Sequence, residues 1–115
     1  MSNPLIAKLL AQRESRFEVM PGRWITIRRP GEVEMAVLRG GLSIDKLKAF
    51  VVGWEAFTEA DLLGAAVGSS SAVPFDAEVF GTWIVDRAEE FSKAADELMR
   101  LVSDHLKAKA EAAKN

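Results

Sequence analysis

An apolar stripe near the C-terminus constrains this chain more than any other feature. Phe80, Ile84, Ala88, Phe91, Ala95, Leu98, Val102 and His105 follow one another by threes and fours. That spacing holds one helical face in phase. Asp76 stands where a cap is needed, and Asp86-Arg87-Ala88-Glu89 reads as a second capping box. The stripe is therefore either one helix bent near Trp83 to Val85, or a short helix followed by a long one. A single helix over 77–111 would measure about 52 Å. A domain of this size has no core that long, so the last turns are expected to project. The run Lys107-Ala108-Lys109-Ala110-Glu111-Ala112-Ala113-Lys114 favours helix but has only alanine to bury.

The rest of the chain changes period. Ser2 or Asn3 can cap a first helix that has Pro4 in its opening turn and Leu5, Ile6, Leu9 and Leu10 as its stripe. So short a helix is marginal alone and is expected to dock. Phe17 and Val19 then alternate with charge, Pro21-Gly22 fits the centre of a type II turn, and Trp24-Ile25-Thr26-Ile27 is β-branched and aromatic. A hairpin results, closed by Pro30. Val33, Ala36 and Val37 suggest a helical turn ended by Gly40-Gly41, and Ser43 opens a helix through Val52 that Gly53 stops. Gly64-Ala65-Ala66 and Gly68-Ser69-Ser70-Ser71-Ala72 bury little and cost much to order, so this stretch is expected to be loose, with one turn at Leu62-Leu63. The expectation is one mostly α (α+β) domain, a small N-terminal β-hairpin packed on a helical bundle with a long C-terminal helix. Its parts are a helix over 1–14, the hairpin over 16–29, a helical middle over 31–57, a flexible loop over 58–75 and a helical region over 76–113.

Composition then excludes whole classes of function. The chain has no cysteine and a single histidine, so thiol catalysis, thiolate metal sites and a histidine cluster within one chain are ruled out. Net charge is −2, which is unlike the basic footprint of a nucleic-acid binder. No apolar run reaches the ~20 residues of a membrane span, and Met1-Ser2-Asn3-Pro4 lacks the charged and apolar segments of a secretion signal. A cytoplasmic protein that is not an enzyme, with no cofactor, no nucleic acid and no membrane, is the expectation. Glu59 and Asp61 read as surface carboxylates, and His105 as a partly buried structural residue. Glu89, Glu90, Asp96, Glu97 and Lys93 read as the solvated side of the long helix. Trp24, Trp54 and Trp83 read first as core anchors, with Trp24, on the outward hairpin face, the one best placed to anchor a partner. Arg28 and Arg29 read as edge charges or as contacts for an acidic partner.

Three short motifs in order add a resemblance. Arg28-Arg29-Pro30 closes the hairpin, Gly53-Trp54-Glu55 follows the helical middle, and Val73-Pro74-Phe75 leads into the C-terminal helices. Over roughly residues 16–92 the chain resembles the tail assembly chaperones of long-tailed bacteriophages and prophages. It departs from them in having Ala56 where the family usually has a glycine after Trp-Glu, and in a longer stretch between Trp54 and Pro74. The resemblance implies a non-catalytic protein that binds the phage tape measure protein, keeps it soluble and helps deliver tail tube protein, with a homo-oligomer possible. A structural tail-completion or head–tail joining protein retained in the particle is the alternative. For a chaperone of this kind, Leu5, Leu9, Leu10, Trp24, Arg28, Arg29, Leu62 and Leu63 are the candidate partner-binding residues. Trp54, Glu55, Pro74 and Phe75 are the structural motif.

Overall fold

A computed structural model describes residues 3–114. The Asn3 side chain accepts the Leu5 amide at 2.8 Å and starts α1, Pro4–Ala11. Ser2, the alternative cap, lies outside the described residues. Strands β1, Glu14–Met20, and β2, Arg23–Arg28, form the expected hairpin, with Glu14 opposite Arg28 and Phe17 opposite Ile25. Gly22 has φ of 74°, the left-handed value that the third position of a type II turn requires.

The middle of the chain departs from the helical expectation. A 3-10 helix covers Glu32–Leu38, and α2, capped by the Ser43 hydroxyl, covers only Ile44–Phe50. Residues Val51–Glu55 are β3, a third antiparallel strand with Thr26 opposite Gly53 and Ile25 opposite Trp54. Gly53 therefore does not end a helix. The sheet order is β1-β2-β3, so the hairpin is the larger part of a three-stranded sheet. The physical reason is the run Val51-Val52, β-branched and followed by Trp54, which suits a pleated surface better than a last helical turn.

The loop expected over 58–75 begins with α3, Glu59–Leu63. Beyond it α4, Ala77–Ile84, is capped by the Asp76 carboxylate, and α5 spans Ala88–Ala113. The short-then-long alternative is thus the observed one. Asp86 does not cap α5; Arg87 occupies that position, without a side-chain capping bond. α5 is about 39 Å long at the standard rise, and every described residue after His105 is exposed, as the length argument expects.

One face of the sheet carries Val19, Ile25, Ile27 and Val51 into the core, where Leu47, Phe80, Ile84, Ala94 and Leu98 meet them. Glu90 and Ala94 sit buried on α5, so the buried face is rotated slightly from the expected stripe and Ala88 is exposed. Glu90 is therefore not a solvated residue: Arg87 donates to its carboxylate. Burial pushes its pKa up most strongly, yet the Arg87 bond and the nearby charges leave it below the ordinary glutamate value.

Candidate functional site

Two of the three motifs behind the resemblance, Gly53-Trp54-Glu55 and Val73-Pro74-Phe75, meet in space. Trp54 on β3 donates its indole Nε1–H to the Val73 carbonyl at 2.7 Å. Its ring stacks on Phe57 at 4.5 Å between centroids and meets Phe75 edge-on at 5.3 Å. Phe57 in turn meets Trp83 edge-on. Glu55 turns outward to Arg16, and Pro74 is exposed at the entry to α4. Trp54, with Val73 19 residues away in sequence and Phe75 beside it, therefore builds a clasp, which is a folding role. Ala56, beside the clasp, has φ of 70° and is the only non-glycine among the described residues in the left-handed region. A glycine after Trp-Glu has its physical reason there, since only glycine holds that conformation without a Cβ penalty.

The segment within the clasp is tied down along its length. The Thr58 hydroxyl and the Asp61 carboxylate cap α3 reciprocally. Backbone bonds run from Glu59 N–H to Ser71, Ala60 N–H to Ser69 and Val73 N–H to Phe57. Arg23, at the hairpin tip, pairs with Asp61 at 2.6 Å. In this stretch the polar backbone is satisfied largely by its own bonds rather than by a packed apolar surface.

α1 has the opposite character. It buries none of its residues. Leu5 is 62% exposed, Ile6 55% and Leu9 49%, while Leu10 is half-buried. None of the four belongs to the core cluster, so within this chain the expected docking does not occur. α1 is thus an eight-residue apolar helix with its stripe in water.

Just beyond the end of α1, Arg13 lies 3.9 Å from Glu34. Leu9, Gln12 and Arg13 line a shallow hollow with Arg29, Val33 and His105. Arg29 donates to His105 Nδ1 at 3.1 Å, so Nε2 carries the hydrogen and donates to Glu32 at 2.7 Å. Hydrogen bonds from Lys109 first and His105 second hold the Glu32 carboxyl down to about 2. His105 is thus a structural tie between α5 and the 3-10 helix.

The other candidates divide. Arg28 is paired with Glu14 through two bonds at 2.9 and 2.7 Å, and Arg29 reaches the Pro30 carbonyl as well as His105. Both arginines are already engaged within the chain. Trp24 faces away from the core and lies half-buried beneath Arg16, whose guanidinium stands 3.9 Å from the ring centroid. Leu62 packs against the core and Leu63 is exposed. Leu62 and Leu63 share a cleft with Met20, at the far end of β1 from α1. The length of β1, roughly 20 Å, separates them from Leu5 and Leu9, so the candidate leucines form two surfaces. Val33, 97% exposed, adds another apolar side chain near α1.

Among the described residues no three histidine, aspartate or glutamate side chains are grouped as metal ligands, and no helix is long and apolar enough to cross a membrane. No protein-family model, curated protein or solved structure matches the chain.

Proposed function

We propose that this protein is a non-catalytic tail assembly chaperone that works in the host cytoplasm, with α1 as its client-binding element. The observation that carries this reading is the undocked apolar face of Leu5, Ile6 and Leu9 on a domain whose core is complete without it. Such a face gains stability by covering the apolar stripe of another helix. The resemblance names the client, a long helical tape measure protein, and the tail tube protein as the subunit delivered afterwards. The clasp of Trp54, Val73 and Phe75 and the left-handed Ala56 support it, because they give two of the three motifs, Gly53-Trp54-Glu55 and Val73-Pro74-Phe75, a common structural purpose.

The test is co-expression with the tape measure protein encoded nearby. Client solubility and co-purification are expected, and Leu5→Ser/Leu9→Ser is expected to abolish both. The double variant should shift unfolding stability by no more than about 0.5 kcal/mol, as exposed positions generally do. A client that stays insoluble beside the folded wild-type chain would reject the reading, and recovery of the chain in purified particles would favour a structural tail component.

A further inference from the structure

The cleft at the hairpin tip is a second candidate surface. It lies between α3 and α4, has a volume of about 980 Å³, and its apolar wall is made of Met20, Leu62, Leu63, Val79 and Trp83. Leu63 is 59% exposed there and Val79 is also accessible. Trp83 is 7% exposed and closes the back of this wall.

The rim is acidic. Glu59, Asp61, Glu78 and Asp86 line it, against Arg87 as the one lining cation. Arg87 is bound to Glu90, Asp61 to Arg23 and Glu78 to Lys48. Glu59 accepts only from Ser69, and Asp86 has no side-chain partner among the described residues. Two carboxylates therefore stand over an apolar wall without a counter-charge.

We infer that this cleft binds a cationic amphipathic helix of a partner protein, with leucine-like side chains against Leu63, Val79 and Trp83 and Lys or Arg side chains against Glu59 and Asp86. An apolar stripe in a groove supplies the contact area, and the rim selects charge and orientation. The inference stands apart from the reading of α1, which lies at the other end of β1.

A labelled synthetic peptide about four turns long, made of leucine and lysine with the leucines on one face, is the probe. It should bind the full chain saturably by fluorescence anisotropy, at least tenfold tighter than the same peptide with glutamate for lysine. Glu59→Lys/Asp86→Lys should weaken it tenfold or more and remove the salt dependence, and Leu63→Ser should weaken it at unchanged charge. Both variants alter exposed side chains, and far-UV circular dichroism checks that they fold. Leu5→Ser/Leu9→Ser should leave this binding intact, which separates the cleft from α1. Equal affinity for the two peptides, or binding lost with the α1 variant and kept in both cleft variants, would overturn the inference.

Discussion

α1 and the stretch from Phe57 to Phe75 reverse each other's composition. α1 packs Leu5, Ile6, Leu9 and Leu10 into eight residues and buries none of them. Between Gly64 and Ala72 the only large apolar side chain is Val67, yet the Glu59 and Ala60 amides donate to the Ser71 and Ser69 carbonyls and set the segment's path. Apolar content measures what a segment gains if something covers it. It does not say whether the covering surface belongs to the same chain. Order in a segment without apolar side chains comes instead from close backbone approach and paired polar groups, for which small residues are the requirement.

Gly68 puts that account under the greatest strain. A Cβ at this position would stand 2.5 Å from the Glu59 carbonyl carbon and oxygen and 2.6 Å from the Ala60 nitrogen. Those are backbone atoms of the α3 start, which a rotamer change cannot move aside. Gly68→Ala is expected to lower stability by about 1–3 kcal/mol, the usual cost of overpacking. Ala7→Val, on exposed α1, should change it by no more than about 0.5 kcal/mol. Denaturant midpoints at unchanged slope compare the two directly. A neutral Gly68→Ala would return the segment to the loose state that its composition suggests.

A smaller effect of opposite sign is expected at Ala56. The left-handed conformation costs an alanine about 1–2 kcal/mol, while glycine costs about 0.4–1 kcal/mol through the freedom it adds to the unfolded chain. The first exceeds the second, so Ala56→Gly should stabilise the protein by about 0.5–1 kcal/mol, read as a raised denaturant midpoint. A loss of stability would mean that the φ of 70° is not held in solution, and would weaken the account of the clasp.

What the sequence made legible follows from the same distinction. The hairpin, the Asp76 cap and the projecting end of α5 rest on local rules, a turn dipeptide, a cap and a period, and all three are observed. β3 was hidden because Ser43 and the spacing of Leu47, Phe50, Val51 and Trp54 satisfy a helical pattern until the strand begins. Pairing with β2 decides the matter, and that is a tertiary interaction. The leucines of α1 and Leu63 were legible as candidates by type. Their separation by the length of β1 was not, nor was the engagement of Arg28 and Arg29 within the chain, because ion pairs such as Arg28–Glu14 depend on strand register. The cleft at the hairpin tip was invisible for the same reason: its walls come from three elements far apart in sequence.

Acid gives the finest test of the two regions, because only one of them is held by a carboxylate. Burial is the largest influence on Asp61 and pushes its pKa up. The bonds from Arg23 and from the Thr58 amide and hydroxyl together outweigh it, and the carboxyl sits below its ordinary 3.8. Asp61 therefore contributes stability that is full above the unfolded-state value and is lost as pH falls through the lower folded one. α1 has no acidic residue in its first turn and takes its cap from the neutral Asn3 amide. Amide protection, corrected for intrinsic exchange rates, should fall at Gly64 and Gly68 below about pH 3.8, with α1 unchanged over the same range. Asp61→Asn should show the reduced protection already at neutral pH, without the acid step. If Asp61 titrates at or above the ordinary aspartate value, Arg23 and Thr58 do not hold α3 in place, and the order of the clasp must rest on Trp54 and the backbone bonds alone.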